Sequence, residues 1–281
     1  MKLSSNIICF HDELGLTKTI DIFAEAGFEG IDFNTDLKEY YTDAHDEAFY
    51  KSVKQYANDK GIIFEQTHAP FGSSYTDEAR TAQRFNDIIK GMRHSSWLGA
   101  EQVVVHPYNH LSYKDGKYDY MMESNLNFYK KLIPYAEEFQ IKIAIENIVG
   151  AITETPEGLL ELVNLLDNDV FTICYDVGHA NLCEQDPVEM LRKLGNRIGC
   201  THIHDNAGVR DIHYLPYYGK IDWESVMKAF AEVGYEGNLD YEAGIFVRNL
   251  PYELRKDCAK YMARVGKYLI ERYDYYKAQQ G

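Results

Sequence analysis

Two hydrophobic rhythms alternate along the chain. Short runs rich in Val, Ile, Phe and Tyr each lead into a polar or glycine-bearing turn, and a longer stretch then spaces its apolar residues three and four apart. The first rhythm is that of a buried strand and the second that of an amphipathic helix. The pair recurs eight times. Strands are predicted at 3–9, 30–34, 62–68, 102–106, 142–146, 171–176, 198–205 and 237–242. Helices are predicted between them at 17–26, 46–59, 77–98, 120–139, 156–166, 187–194, 223–233 and 252–276.

Local signals agree with these boundaries. Thr155 before Pro156, and Asp186 before Pro187, set a capping side chain ahead of a first-turn proline. Glycine recurs where helices hand over to strands, as in AGFEGIDF, LGAEQVVV and VGYEGNLDY, which fits helix C-caps. Strands alternating with crossover helices argue for a parallel sheet. Eight such units closing on themselves make a (β/α)8 TIM barrel. An open doubly wound sheet is the competing architecture, but no GxGxxG follows the first strand. Barrels of this kind run to about 250 residues. The 281 residues contain no linker or low-complexity segment, so residues 1–281 are read as a single α/β domain.

Composition narrows the function classes. The chain is 45% hydrophobic and 26% charged, ordinary for a globular protein. No apolar run is long enough to span a bilayer, and the start MKLSSNIICF is too brief for a signal peptide, so a cytoplasmic location is expected. Five cysteines form no CxxC pair and read as reduced thiols. With 29 basic against 44 acidic residues, a net charge of −15 and no basic run, no nucleic-acid partner is expected.

The chemistry sits at strand ends. The third strand finishes in His68, the fourth in His106, the fifth in Glu146 and the sixth in Asp176, with His179 three residues on. The seventh carries His202 and His204, which share a face by period-two alternation. A loop then brings Asp211 and His213, and the eighth strand gives Glu242. In a (β/α)8 barrel all these ends open on one mouth. A lone His or Glu at a strand end is usually a hydrogen-bonded structural residue. So many on one mouth would cost several kcal/mol in desolvation and repulsion unless a cation resolved the crowding. Imidazole with carboxylate suits Zn, Mn, Fe or Co. His11, His45, His94 and His110 read as ordinary histidines.

At these residues the chain resembles the xylose isomerase-like barrel superfamily. That group contains sugar and sugar-phosphate isomerases and epimerases, inosose-processing enzymes and the endonuclease IV type of repair nuclease. The succession THAPF, VVHP, IEN, DVGHAN, HIHDN, D-x-H, IDW and YEAG carries the resemblance over essentially the whole chain. In its ketose epimerases two Glu, one Asp and one His hold a single metal. By resemblance that quartet is Glu146, Asp176, His202 and Glu242, with the two glutamates also the catalytic acid–base pair. His179 and Arg210 match substrate-binding places. The implied activity is a divalent-metal-dependent isomerase or epimerase of a sugar, sugar phosphate or cyclitol, with no organic cofactor. Metal would polarise a carbonyl and stabilise an enediolate while the glutamates move the proton.

Other readings stay open. Endonuclease IV-type enzymes bind three zinc ions through five His, two Asp and two Glu. The same types stand here in the same order at His68, His106, Glu146, Asp176, His179, His202, Asp211, His213 and Glu242. A sugar dehydratase or lyase, or a non-catalytic binding barrel, would also use this scaffold. The chain departs from familiar ketose epimerases in two places. LPYYGKIDW stands where relatives often have a Gly-Glu-Gly turn, and Ile152 stands where an epimerase-type Glu would fall, with Glu154 the nearest carboxylate. Of 23 tyrosines, Tyr108, Tyr113, Tyr214, Tyr217 and Tyr218 are placed in mouth loops, where rings could stack on a sugar. Those of the last helix fit packing on the barrel or on another subunit, so a homo-oligomer is one reading. Arg210, Arg248 and Lys220 are the only loop cations near the mouth, which favours a neutral carbohydrate partner.

Overall fold

Each predicted strand forms, and together they make a nearly closed parallel barrel. The structure is a computed structural model, and it describes residues 1–11, 14–40, 45–245, 247–248 and 250–280, Cys9 by its backbone alone. The strands are β1 Lys2–Asn6, β2 Gly30–Asn34, β3 Gln66–His68, β4 Gln102–Val105, β5 Lys142–Glu146, β6 Phe171–Asp176, β7 Ile198–His202 and β8 Asn238–Tyr241. Their order in the sheet is β7-β6-β5-β4-β3-β2-β1-β8. A parallel bridge from Ile203 to Tyr241 draws the two ends together, with Ile203 N–H donating to the Asp240 carbonyl at 2.7 Å.

The helices are α1 Ile8–His11, α2 Gly15–Ala26, α3 Glu47–Asp59, α4 Glu78–Leu98, α5 Tyr118–Tyr129 and α6 Ile133–Phe139. They continue with α7 Pro156–Leu166, α8 Val177–Leu182, α9 Pro187–Leu194, α10 Trp223–Glu232 and α11 Tyr252–Lys277. Asp46, Asp77, Thr155 and Asp186 each cap a helix N-terminus with a side-chain oxygen. Gly27 and Gly99 close α2 and α4 in left-handed conformations.

Several expected boundaries move, the seventh strand ending at His202 instead of residue 205, and three of the shifts have a plain local reason. The first strand stops at Asn6 instead of running to residue 9, because the Asn6 Oδ1 accepts from Ile8 N–H at 2.9 Å and starts α1. The third is strand proper only from Gln66, Ile63 making an isolated bridge to Gly30. The helix expected at 120–139 is two helices joined by a 3-10 turn at Lys130–Leu132. Pro134, lacking an N–H, cannot continue the helical ladder across that turn.

Alternation along the strands sorts the side chains into two shells. Val103, Val105, Ile143, Ile145 and Ile173 face outward into the main core beneath the helices. Val104, Ala144, Cys174 and Cys200 form a separate small cluster inside the lumen. Across from them the lumen is polar, with Ser4, Asp32, Gln66 and Asp240 all buried. One extra residue enters β7 opposite the step from Ile173 to Cys174, where the register shifts. Beyond that bulge Cys200 pairs with Cys174 and His202 with Asp176, which aims His202 inward beside the carboxylate.

Candidate metal centre at the barrel mouth

Strand ends deliver the predicted side chains to one place. Glu146 lies at its centre, 1% exposed. Its Oε1 is 3.1 Å from His202 Nδ1 and 3.3 Å from His179 Nδ1. Its Oε2 is 2.9 Å from His106 Nε2 and 3.7 Å from His68 Nε2. Asp176 Oδ1 is 3.1 Å from His204 Nε2 and also accepts the His179 backbone N–H at 2.6 Å, capping α8. Glu242 Oε2 is 3.7 Å from His202 Nδ1 and 3.4 Å from His213 Nδ1. Asn147 ties the tips of β5 and β6 together, its amide bracketing the Asp176 backbone at 2.7 and 2.8 Å.

Among the described residues five groups could hold a cation, and three of them take in all the predicted ligands. One ligand atom from each of Glu146, Asp176, His202 and Glu242 lies within 4.8 Å of the others, the set that the resemblance implied. His68, His106 and Glu146 make a second group, sharing Glu146 with the first. His179, His204, Asp211 and His213 make a third. His204 thus joins the outer group, while His202 belongs to the quartet.

The donor chemistry fits a divalent ion. Glu146 Oε2, Asp176 Oδ2, His68 Nε2 and His179 Nδ1 are buried and meet their neighbours only as ion-pair contacts, with no hydrogen bond of good geometry among the described residues. Buried polar atoms normally have partners, so a cluster of orphans aimed at one point marks a place for a ligand. Charge balance tells the same story. Burial alone would raise the Glu146 carboxyl, but His202 and His106 beside it hold it well below the usual range. Burial would lower His202, and the Glu242 and Glu146 charges instead raise it well above an ordinary histidine. His106 is the exception: burial dominates and keeps its imidazole low.

The outer group hangs from the loop between β7 and α10. Asp205, fully buried, organises that loop. Its Oδ2 accepts from the Trp223 indole N–H at 2.8 Å and from Tyr217 N–H at 3.0 Å. Gly219 packs so tightly on Asp205 and Asn206 that any Cβ would collide. Held this way, the loop sets Asp211 Oδ1 3.2 Å from His213 Nε2 and Asp211 Oδ2 3.4 Å from His179 Nε2. Burial would raise Asp211, but hydrogen bonds from His179 and His213 hold it far below its ordinary value. Arg210, beside it, is exposed and makes no ion pair among the described residues.

Some sequence expectations shift. Tyr217 and Tyr218 do not face the quartet: they lean on α11, against Tyr268 and Tyr261. Tyr113 bonds Glu154, and Tyr108 is buried beneath Tyr120 and His110. Glu154 is held by Gly150 N–H at 2.7 Å and Lys114 at 2.6 Å, so it does not replace the epimerase-type Glu. The ring beside the centre is Phe71, 51% exposed and 4.8 Å from the His106 ring centroid. It ends the THAPF motif that delivered His68, and that position was the available signal. A cavity of about 250 Å3 lies against Glu242 and His213, walled by Ile8, Phe71, Ile245 and Arg248.

The family model of the xylose isomerase-like TIM barrel matches residues 20–261. The chain belongs to that family. The uncharacterised protein y4fM of Sinorhizobium fredii is 28% identical over 262 residues, 83% of this chain and 82% of its own. An inosose dehydratase of Clostridium botulinum is 32% identical over 149 residues, 46% of this chain and 50% of that enzyme. A solved D-tagatose 3-epimerase-like protein superposes with a TM-score of 0.76 at 24% identity, over 96% of this chain and 100% of that one. The IolI protein with a bound zinc atom superposes at 0.80 with 20% identity, over 98% and 99%. At such identities the xylose isomerase-like barrel shares the fold of these solved neighbours. Among the described residues no helix is long and apolar enough to cross a membrane.

Proposed function

We propose that this xylose isomerase-like barrel is a divalent-metal-dependent isomerase or epimerase of a small carbohydrate. The observation that carries the reading is the Glu146–Asp176–His202–Glu242 quartet, with three carboxylates, two of them glutamates, in one group whose ligand atoms lie within 4.8 Å of one another. These four residues would hold the ion, which when bound supplies Lewis-acid polarisation of a substrate carbonyl oxygen. Glu146 and Glu242 arrive from strands on different sides of the mouth. One takes the proton from the carbon beside the carbonyl and the other returns it, on the same face or the opposite one. His179 and Arg210 orient substrate hydroxyls from the outer side. Phe71 offers an apolar ring to a sugar face, and the small cavity beside Glu242 supports a compact substrate.

The test is solvent labelling. Metal-loaded protein is incubated in D2O with a panel of ketoses, inososes and their phosphates. Deuterium at the carbon next to a carbonyl is the expected result. Every sugar recovered unlabelled, alongside cleavage of a generic phosphodiester, would sink the reading.

One observation favours a second reading. The groups His68–His106–Glu146 and His179–His204–Asp211–His213 flank the quartet, so three ions have donor sets here. Several ions would suit phosphoester hydrolysis. Metal content per chain separates the two: one ion supports the isomerase, two or three the hydrolase. Dehydration of an inosose, named for the Clostridium relatives, would release unsaturated product with the same quartet, and product analysis of the labelled panel distinguishes it.

A further inference from the structure

His202 has two ring nitrogens, and they face different partners. Nδ1 faces the quartet, 3.1 Å from Glu146 and 3.7 Å from Glu242. Nε2 points the other way, down into the polar half of the lumen. There the Asp32 carboxylate lies 3.5 Å from it, at the outer edge of hydrogen bonding. Both residues are fully buried. Asp240 sits beside them in the same small group but makes no ion pair with the ring.

We propose that Asp32 is a positioning residue: it accepts the Nε2 proton of His202 and so presents Nδ1, as a lone pair, to the quartet. The inference rests on the quartet being the metal site. An imidazole that ligates through one nitrogen ordinarily donates its other N–H to a carboxylate or carbonyl, which fixes the tautomer and the ring plane. Asp32 carries the one carboxylate within 4.0 Å of Nε2 among the described residues.

Asp32 is itself held from outside the site. Its Oδ2 accepts from the Asn6 amide at 3.2 Å, and the other end of that amide starts α1 by accepting from Ile8 N–H at 2.9 Å. Ile8 walls the cavity beside Glu242. A line of contacts therefore runs from the cavity wall through Asn6 and Asp32 to the buried face of His202. Among the described residues that line meets the quartet at His202, from below, which is why strand-end reasoning does not find it.

The experiment uses the full-length protein and zinc alone, by competition with a chromophoric chelator, together with the melting temperature of the metal-free form. Wild type is expected to bind zinc and His202→Gln to lose it; a wild type that binds none sinks the metal reading itself. Asp32→Ala is expected to weaken zinc about 10- to 100-fold, the range for supporting partners of a ligating histidine. Asp32→Asn, which keeps an acceptor but not the charge, should recover part of that loss. Affinity equal to wild type in a folded Asp32→Ala protein overturns the proposal and leaves the quartet standing. A second measurement needs no Asp32 variant. Imidazole 15N–1H spectra of the zinc-loaded wild type, assigned with His202→Gln, should show the His202 proton on Nε2 and none on Nδ1. A proton on Nδ1, with zinc on Nε2, also overturns the proposal.

Discussion

The quartet and the outer group lie side by side, yet the chain builds them differently. Glu146, Asp176 and His202 end hydrogen-bonded strands and are at most 1% exposed. Asp211 and His213 hang from a loop, their side chains 42% and 23% exposed. His213 also adopts a left-handed φ of 52°, which a non-glycine residue keeps only where its surroundings insist. Strand-borne side chains inherit the rigidity of the barrel, whereas a loop-borne group is only as firm as its anchors. Here the anchor is Asp205 with Trp223. Under the proposed function, the difference would leave chemistry to the inner set and adjustment to the substrate to the outer set.

The largest expected effect sets one against the other. Glu146→Gln should lower turnover on the order of 10^2–10^4-fold, the usual weight of a positioned acid or base. Asp211→Asn should cost at most about tenfold, the lower end for a supporting residue. Equal losses in steady-state assays on a labelled substrate would erase the distinction. Metal removal comes next. With an ion at about 100 times its Kd the folded state gains about 2.7 kcal/mol, so stripping it should lower the melting temperature by roughly 5–11 °C. Asp176→Ala should abolish that difference and His213→Ala should keep most of it. Calorimetry on the three proteins, each with and without metal, decides.

The same contrast explains what the sequence made legible. A strand end is readable because alternation and the run of apolar residues say where the chain stops and which way a side chain points, as with VVVHPY and His106 or KIAIE and Glu146. Loop residues carry no such period. Asp211 and His213 can be named as candidates but not placed, and the loop tyrosines can be set in loops but not aimed, since Tyr217 and Tyr218 lean on α11. The bulge that aims His202 leaves no mark in the hydrophobic pattern, and neither does Asp32, whose role depends on a neighbour across the lumen. Nothing local distinguishes that aspartate from any other polar residue facing inward.

A smaller effect is expected at the wall between the two groups. Gly178 follows the Asp176 cap of α8, and a Cβ there would run into the His204 ring. Gly178→Ala should therefore cost about 1–3 kcal/mol, the range for overpacking a filled interior. Urea denaturation would measure it. If the loss is real, zinc content should fall in the outer group before the quartet, because His204 is the residue displaced. Unchanged stability would mean that the loop yields freely and that the outer group is softer still.

The smallest effect belongs to the loop pair in metal-free protein. Burial would lower His213, but the hydrogen bond to Asp211 and the Glu242 charge raise it to about 9. A histidine raised in the folded state stabilises it fully below its unfolded value of about 6.5, and that contribution fades as pH climbs through the folded value. Metal-free wild type should thus lose stability between pH 6.5 and about 9 relative to His213→Gln, whose curve lacks this step. Because the pair is half in water, salt screens it, and the step should shrink at high ionic strength. The strand-borne Glu146, Asp176 and His202, buried from solvent, should show no such salt dependence. A step of the same size at low and high salt would place His213 in an environment as closed as that of His202, and the contrast between loop and strand would fail.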